Sequence, residues 1–220
     1  MTRKVFWASP YLGELATRVA TVNGADITLE ATIFYALSGG QESDTGTVNG
    51  LAVRAARKDG QEIVYTLPET HGLKPGDAVQ VKIDLVRRYK LMRLHFAAEV
   101  ILELVYARCP GVGKVGAHIA EDKARIDFEW PENIAGLFPA LLQDAHALID
   151  RNAPIESAFS DEALERRYWA VEGFAKVPCG GTHLRRTGEV GHLSLKRRNV
   201  GKGKERIEIT LDQPDLPMPV

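Results

Sequence analysis

The side chains best suited to chemistry lie in one short segment, between Val177 and His183. Cys179 and His183 flank Gly180 and Gly181 there, so the backbone can turn tightly and approach a ligand closely. Thiolate sulfur and neutral imidazole nitrogen are preferred zinc ligands, and three intervening residues are a workable spacing. One such pair does not define a metal site, because an isolated cysteine is usually a small buried apolar residue.

A second pair of ligand-type residues lies far upstream, at His95 and Glu99. They are four residues apart, so on a helix they share one face. Four ligand-type residues in two short clusters indicate a metal site. We therefore predict a zinc ion held by the histidines at 95 and 183 and the cysteine at 179, with Glu99 in or beside the ligand set.

Glu99 has two possible roles in such a site. As a fourth ligand it would make the site less positive than an imidazole does, and so would activate a bound water less strongly. As a general base it would take a proton from that water while His95, Cys179 and His183 hold the metal. His118 is a further candidate for an imidazole ligand, although a strand histidine with ordinary hydrogen bonds is the simpler interpretation.

Several other motifs occur in the same order as in one known family. They are Phe34-Tyr35, Ser38-Gly39-Gly40-Gln41, Asp44-Thr45-Gly46, Asp84 with Arg87-Arg88, Arg125-Ile126-Asp127-Phe128, Thr187-Gly188-Glu189-Val190-Gly191 after the Cys-Gly-Gly-Thr-His segment, and Gly201 to Glu208. With these motifs the chain resembles the editing domain of alanyl-tRNA synthetase and, more closely, the free-standing alanyl-tRNA editing proteins of the AlaX group. The family's helical motif is His-x-x-x-His, and Glu99 stands in the place of the second histidine.

The resemblance implies a trans-acting, ATP-independent hydrolase that removes a wrong amino acid from tRNA(Ala), with zinc as cofactor. Ser-tRNA(Ala), and also Gly-tRNA(Ala), are the implied substrates. We predict Glu99 and Thr182 as catalytic residues. The resemblance implies that the glycine-pair motif discriminates the amino acid, and we assign this role to Gly39, Gly40, Gln41 and Asp44. The alternatives are a threonyl-type deacylase, a tRNA-binding or metal-binding module whose catalysis has decayed, and a closed structural zinc site.

Discrimination between serine and alanine has a physical basis. A site that hydrogen-bonds the serine hydroxyl leaves polar groups unpaired when alanine enters. Thr45, Gln41 and Thr182 are candidate partners of that hydroxyl. Their simpler interpretation is that they satisfy local backbone groups, as such side chains do in turns.

The elements that must position these residues predict an α+β fold in two domains. Residues 1–86 contain short β-rich runs separated by the turn signals Asn23-Gly24, Asn49-Gly50 and Asp59-Gly60, which is typical of a small β-barrel. A helix is expected over 88–107, followed by an antiparallel sheet packed on helices in an editing domain over 87–220. A further helix is expected over 161–172 with Ser160 as its N-cap, and the tail from 213 to 220 is expected to fray.

The predicted strands of the first domain are 18–22, 26–34, 48–57, 62–67 and 79–83. In the second domain we expect strands over 115–120, 124–128, 191–198 and 204–211, with a helix from Asn133 to Asp150. The composition, 45% hydrophobic and 26% charged over 220 residues, is that of an ordinary soluble protein long enough for two modest domains.

A basic cluster near the C-terminus indicates where tRNA would bind. Eight basic residues and two acids lie between 185 and 206, a local charge of +6 in a chain of net charge −1. Contacts of this kind to phosphates give affinity without reading sequence. The predicted tRNA-binding residues are Arg185, Arg186, Lys196, Arg197, Arg198, Lys202, Lys204 and Arg206, and Arg87, Arg88, Lys90 and Arg93 would extend the patch.

The cellular setting is expected to be the cytoplasm. Two cysteines, at 109 and 179, give no disulfide framework, which suits a reducing compartment. The N-terminus has no long apolar run, so neither a signal peptide nor a membrane partner is expected.

Overall fold

Antiparallel strands form most of the fold in this structure, a computed structural model that describes residues 2–218. The chain divides into two units. The first contains the residues up to Ser38 together with Glu42–Tyr89, and the second contains Gly39–Gln41 together with the chain from Lys90 onward. The mixed helical and antiparallel architecture agrees with the α+β fold expected from the sequence.

The first unit is built on one seven-stranded sheet and a separate pair of short strands. Its strands are β1 Arg3–Lys4, β2 Glu14–Asn23, β3 Asp26–Leu29, β4 Ala31–Thr32, β5 Gly46–Val48, β6 Leu51–Ala52, β7 Ala55–Asp59, β8 Glu62–Thr66 and β9 Ala78–Ile83, and a short helix α1 spans Val5–Ala8. The order in the large sheet is β6-β5-β9-β2-β3-β8-β7, and β1 and β4 pair in parallel. The long strand β2 pairs with β3 along one part and with β9 along the other, with a register shift between Val19 and Thr21. The sheet therefore curves as half a barrel does, and its closure into a full barrel stays a prediction.

The turns of the first unit follow from the sequence. Gly24, Gly50 and Gly60 adopt positive φ in the hairpins β2–β3, β5–β6 and β7–β8, a conformation that glycine tolerates without strain. The single strand expected over 48–57 is wrong, because the Asn49-Gly50 turn and a second break divide that segment among β5, β6 and β7. The strand expected over 26–34 is likewise divided into β3 and β4.

The second unit contains two further sheets and two long helices. Its elements are α2 Leu85–Arg108, which begins in the first unit, β10 Lys114–Ile119, β11 Ala124–Glu129, α3 Phe138–Asp150, β12 Glu156–Asp161, β13 Arg166–Val171, β14 Ala175–Pro178, β15 Leu193–Gly201 and β16 Lys204–Leu211, with 3-10 helices at Ile134–Leu137 and Thr187–Val190. The sheet orders are β10-β11-β16-β15 and β12-β13-β14. The predicted strand pairs at β10–β11 and β15–β16 are confirmed. No helix within residues 2–218 is long and apolar enough to cross a membrane.

Strand β13 replaces the helix expected over 161–172, and that expectation is wrong. Arg167, Trp169 and Val171 are buried and alternate with more exposed neighbours, which is the period-two pattern of a strand. Trp169 packs edge-on against Phe96 of α2, with ring centroids 5.0 Å apart. The aromatic residues of this segment favour a strand, and burial of the tryptophan outweighs the good N-cap signal at Ser160.

The helix expected from Asn133 begins later than that residue. The Asn133 side chain accepts a hydrogen bond from the Ala135 N–H and caps a 3-10 helix, and α3 starts only at Phe138. Pro139 then lies in the first turn of α3, where its missing N–H removes no helical hydrogen bond.

Helix α2 is buried around nearly its whole circumference between Arg88 and Val105. A helix buried on all sides belongs to the interior rather than to an amphipathic surface layer. The Asp84 carboxylate accepts a hydrogen bond from the Arg87 N–H and caps its first turn. The sequence predicted one apolar stripe along this helix. In the structure, the other faces of the helix are buried as well.

Two arginines of α2 are buried, which corrects the prediction that they extend a basic surface. Arg93 donates to the carbonyl oxygens of Val190, Gln213 and Pro214 at 2.7–3.0 Å. These bonds also hold the start of the tail that was expected to fray, and Pro219 and Val220 at its end lie outside the described residues. Arg88 donates to the Ile33 carbonyl at 2.6 Å.

Arg88 and Asp44 form a fully buried ion pair within the first unit. The guanidinium Nε lies 2.8 Å from one carboxylate oxygen, and Nη2 contacts the other. The same carboxylate also accepts a hydrogen bond from the Tyr35 N–H at 2.6 Å. Every charge of the pair is therefore met by a hydrogen-bonding partner, as burial requires.

We expect Asp44→Ala to lower the free energy of unfolding by roughly 3–5 kcal/mol, because it leaves the Arg88 charge buried and unpaired. Urea unfolding followed by circular dichroism measures this loss. Glu14→Ala is the matched control, since it breaks the exposed Lys82–Glu14 pair and should leave the midpoint almost unchanged. Equal midpoints for the two variants would contradict the structural role of the buried pair.

Candidate metal centre

Two of the four ligand-type residues project from the buried helix α2. His95 and Glu99 are one helical turn apart, so their side chains leave the helix on the same face. His95 is buried and Glu99 is half-buried. Glu99 Oε1 lies 3.4 Å from Nε2 of His95. The helix therefore delivers one oxygen donor and one nitrogen donor to the same place.

The other two residues follow β14, which ends at Pro178. The Cys179 N–H donates to the Arg167 carbonyl at 2.9 Å, so the backbone is still held to β13 where the thiol emerges. The Gly181 N–H points at Sγ of Cys179 from 3.5 Å, which favours negative charge on the sulfur. His183 is buried two residues further on. The glycine-containing turn thus directs both side chains to one side of the loop.

The donor atoms of these four residues converge. One donor atom from each lies within 4.8 Å of all the others. Nε2 of His95 is 3.5 Å from Sγ of Cys179, and Nε2 of His183 is 3.6 Å from Oε2 of Glu99. Ligand atoms around a tetrahedral zinc ion, with bonds of about 2.0–2.3 Å, are about 3.3–3.7 Å apart. The nitrogen–oxygen distances of 3.4 and 3.6 Å from the histidines to Glu99 are long for direct hydrogen bonds and fit donors that share one cation.

Unpaired buried atoms in the cluster support the same fit. Within residues 2–218, no hydrogen bond is made by Nδ1 of His95, by Oε2 of Glu99 or by either ring nitrogen of His183. Buried polar atoms are costly when unpaired, so four of them in one cluster need an explanation. A cation held by nitrogen, sulfur and oxygen donors satisfies the Glu99 and His183 atoms that face the centre.

The charges of the cluster are strongly coupled. Burial alone would raise the pKa of Cys179, but His95 lowers it below its ordinary value. Burial would also raise the pKa of Glu99, but His95 and His183 hold it well below its ordinary value. Burial would lower the pKa of each histidine, yet Glu99 and Cys179 raise both. The thiolate and the carboxylate, which are the forms that bind metal, are therefore favoured in this site.

His118 does not belong to this cluster. It lies on β10, where it is paired with Arg125 of β11. The only described group of metal-ligand type contains His95, Glu99, Cys179 and His183. Among the described residues, no third imidazole stands where the family's second histidine would be.

The glycine-rich loop between β4 and β5 enters the second unit at its tip. The Ile119 N–H donates to the Gly40 carbonyl at 2.8 Å, and Gln41 forms a parallel bridge with Ile119. A side chain at Gly40 would meet the Ala117 carbonyl at 2.7 Å, so only glycine fits there. Gln41 is buried, and its Nε2 donates to Oγ1 of Thr182 at 3.0 Å. The structure therefore brings Gln41 to the segment that carries Cys179 and His183.

The other residues assigned to discrimination occupy different environments. Gly39 has φ of 60°, which suits the turn that enters the loop tip. The Asp44 carboxylate is engaged by Arg88 and by the Tyr35 N–H in the first unit. Thr45 is exposed and also belongs to the first unit. The role of these residues toward an amino acid stays a prediction.

The basic residues near the C-terminus are distributed over several environments. Arg197 pairs with buried Glu205, which lowers the pKa of that carboxyl below its ordinary value. Arg198 pairs with Glu208, and Arg206 pairs with Asp127. Arg186 donates to the Asn152 carbonyl, and Lys196 and Lys202 are exposed. Lys204 is half-buried, and the Arg185 N–H donates to Glu189 at 2.9 Å.

The close contact between Gly181 and the His95 ring was not predicted from the sequence. A side chain there would begin 2.6 Å from Nδ1 of His95, with Cε1 nearer still, and 3.1 Å from Oε1 of Gln41. The sequence indicated that the glycine pair lets the backbone approach a ligand. In the structure, Gly181 instead makes room for the imidazole of His95. The Cys-Gly-Gly-Thr-His motif was the only indication of a close contact in the sequence, and it could not show that the contact is with His95.

Comparisons with known proteins define first the class and then the family. Residues 170–208 match the family described as the threonyl and alanyl tRNA synthetase second additional domain. The chain is 36% identical over 217 residues to the alanyl-tRNA editing protein AlaX-M of Pyrococcus horikoshii, covering 96% of this chain and 99% of that protein. It is 31% identical over 242 residues to AlaX-M of Methanosarcina barkeri, with the same coverage.

A longer relative contains the same region as one part. The alanine–tRNA ligase of Methanococcus aeolicus is 27% identical over 232 residues, which span 95% of this chain and 25% of the ligase. The chain described here belongs to the AlaX-M family of alanyl-tRNA editing proteins. The family resemblance seen in the sequence motifs is confirmed.

We expect Gly181→Ala to weaken zinc binding by roughly 10–100-fold, the usual cost of displacing a group beside a metal ligand, because the new methyl group collides with the His95 ring. The zinc dissociation constant is measured by competition with a chromogenic chelator. Gly180→Ala is the matched control, since a side chain there meets nothing within 4 Å. Unchanged zinc affinity in Gly181→Ala would contradict the packing described for His95.

Proposed function

We propose that this protein is a trans-acting, ATP-independent hydrolase that deacylates mischarged tRNA(Ala), with Ser-tRNA(Ala) and Gly-tRNA(Ala) as substrates and zinc as cofactor. The observation that carries the proposal is the convergence of His95, Glu99, Cys179 and His183 in a member of the alanyl-tRNA editing family. We assign editing to the domain over 87–220 and a β-barrel to residues 1–86. The protein acts in the cytoplasm, where charged tRNA is found.

Zinc would be held by His95, Cys179 and His183, with Glu99 as the fourth ligand. The even spacing of 3.4–3.6 Å between its oxygens and the two Nε2 atoms supports a ligand role over a base role. With four protein ligands, the metal would polarise the ester carbonyl and make water more acidic by expanding its shell to admit a fifth ligand. The thiolate and the carboxylate together balance the charge of the ion, which keeps the buried cluster neutral.

Thr182 and Gln41 are proposed to face the amino acid. Both are buried, and the hydrogen bond from Nε2 of Gln41 fixes the Thr182 hydroxyl beside the metal ligands. A serine hydroxyl that bonds to such a group gains a partner that alanine lacks. Gly39 and Gly40 hold the loop tip against β10, and Asp44 holds the chain that follows it.

The tRNA backbone is proposed to bind the outer face of the β10-β11-β16-β15 sheet. Lys196, Arg198 and Arg206 share this face, since Lys196 is opposite Glu208 and Arg198 is opposite Arg206 in the strand register. The carboxylates of Asp127 and Glu208 are only 13% and 10% exposed, whereas the Arg198 side chain is 55% exposed, so cations dominate the surface. Arg185, Arg186, Lys202 and Lys204 complete the proposed set, whereas Arg197 stands opposite Ile207 on the other face of the sheet and pairs with Glu205.

The proposed function predicts chelator-sensitive release of serine from Ser-tRNA(Ala), and of glycine from Gly-tRNA(Ala), with Ala-tRNA(Ala) spared. Radiolabelled deacylation assays on the three substrates, with and without prior chelation and zinc restoration, measure this. Cys179→Ala should lose bound zinc and deacylation together, because the thiolate ligand is absent.

Three results would overturn the proposal. Serine release by Cys179→Ala at the wild-type rate would exclude the metal centre as the site of the reaction. Release of serine from Ser-tRNA(Thr), with Ser-, Gly- and Ala-tRNA(Ala) all left intact, would identify a threonyl-type deacylase. Binding of tRNA(Ala) without turnover of any ester would identify a decayed module.

The ligand role of Glu99 predicts that Glu99→His keeps stoichiometric zinc and serine deacylation, because an imidazole restores a nitrogen ligand at the same helical position. Zinc content and the rate of serine release are both measured. Glu99→Leu provides no ligand and should lose zinc. A rate in Glu99→His that is lower by roughly 10²–10⁴-fold, with zinc retained, would identify Glu99 as a general base instead.

A further inference from the structure

Gln41 has one amide atom in use and one that is unpaired. Its side chain is 1% exposed. Nε2 donates to Oγ1 of Thr182 at 3.0 Å, which fixes the plane and direction of the amide. Oε1 has no hydrogen-bond partner among residues 2–218. A buried carbonyl oxygen in this state costs free energy unless a donor is supplied.

His95 has a buried ring nitrogen without a hydrogen-bond partner among residues 2–218. Its Nε2 faces Glu99 and Cys179 at 3.4 and 3.5 Å, so Nε2 is the nitrogen available to a metal. A neutral imidazole that ligates through Nε2 must carry its hydrogen on Nδ1. Nδ1 of His95 is buried and makes no hydrogen bond within the described residues. The site therefore contains one buried donor and one buried acceptor, each without a partner.

Gly181 brings these two atoms into the same space. Nδ1 of His95 lies 2.6 Å, and Oε1 of Gln41 3.1 Å, from the point where a side chain at Gly181 would begin. Both atoms therefore border the same small space, which stays open because residue 181 has no side chain. Any other residue at this position would place a Cβ atom within 3.1 Å of both atoms.

We propose that Gln41 is a positioning residue for the metal ligand His95, with its Oε1 accepting a hydrogen bond from Nδ1–H of the imidazole. This inference rests on the proposed metal site. Metal-ligating histidines almost always donate their second N–H to a carboxylate, carbonyl or water, which fixes the tautomer and raises the basicity of the ligand. The hydrogen bond from Gln41 Nε2 to the Thr182 hydroxyl leaves Oε1 as the amide atom available to the imidazole.

The proposed series of hydrogen bonds from His95 through Gln41 to Thr182 connects the glycine-rich loop with the Cys-Gly-Gly-Thr-His segment. The Thr182 hydroxyl orients the amide, the amide orients the imidazole, and Gly181 provides the space. The glutamine of the glycine-rich loop would thus act on the metal ligand, apart from any contact with the amino acid. A role confined to amino-acid discrimination makes a different prediction for metal affinity.

The test compares zinc affinity in Gln41→Leu and Gln41→Glu, measured on the full chain by competition with a chromogenic chelator. Gln41→Leu removes the acceptor and should weaken zinc binding by roughly 10–100-fold. Gln41→Glu keeps an acceptor for Nδ1–H and takes the Thr182 hydroxyl as donor, so it should bind zinc as the wild type does. Gln143→Leu, which changes an exposed glutamine of α3, is the matched control and should be neutral.

A spectroscopic readout separates positioning from general loss of structure. In zinc-loaded wild type and Gln41→Glu, the Nδ1 proton of His95 should appear in ¹H–¹⁵N spectra as a slowly exchanging signal. Gln41→Leu should lose this signal while its circular dichroism remains unchanged.

Wild-type zinc affinity in Gln41→Leu would overturn the inference, and changed serine selectivity at that unchanged affinity would leave Gln41 with only its proposed contact to the amino acid. Equal losses in Gln41→Leu and Gln41→Glu would also overturn it, since the acceptor would then not matter. A wild-type protein that binds zinc in this way without deacylating any tRNA would refute the proposed function and leave the role of Gln41 intact.

Discussion

Burial of polar groups on the central helix α2 is the constraint on which the rest of the structure depends. Between Arg88 and Glu99 this helix carries two arginines, one histidine and one carboxylate into regions shielded from water. Each such group costs free energy unless a partner is supplied. Arg88 has Asp44, and Arg93 has three backbone carbonyls. Among residues 2–218, His95 and Glu99 face each other and the donors of the Cys179 segment, an arrangement that suits a cation.

The same constraint explains why the motifs are glycine-rich. Backbone that approaches a neighbouring segment closely has no room for a side chain, so Gly40 lies against the Ala117 carbonyl of β10 and Gly181 against the His95 ring of α2. These two glycines serve packing within the second unit as well as turn geometry. Of the two, Gly181 is the place where backbone replaces a side chain beside a candidate metal ligand.

In the proposed metal centre, Glu99 gives the ligand set a different charge from the family's histidine. With a thiolate and a carboxylate, the proposed ligand set would carry two negative charges, equal and opposite to those of a divalent ion. Such a centre is easier to bury, because a neutral cluster has a smaller desolvation cost than a charged one. The N–H of Gly181 faces the Cys179 sulfur, and the proposed role of Gln41 is to orient the imidazole of His95.

The sequence by itself determined the local features. The four donor residues, the glycine turns at 24, 50 and 60, and the strands β10, β11, β15 and β16 follow from spacing, turn chemistry and alternation over a few neighbours. Only the tertiary structure decided that Arg88 and Arg93 are buried, that β13 replaces a helix, and that Gln41 meets Thr182. Those outcomes depend on which distant residues exclude water from a side chain, and local sequence patterns do not contain that information.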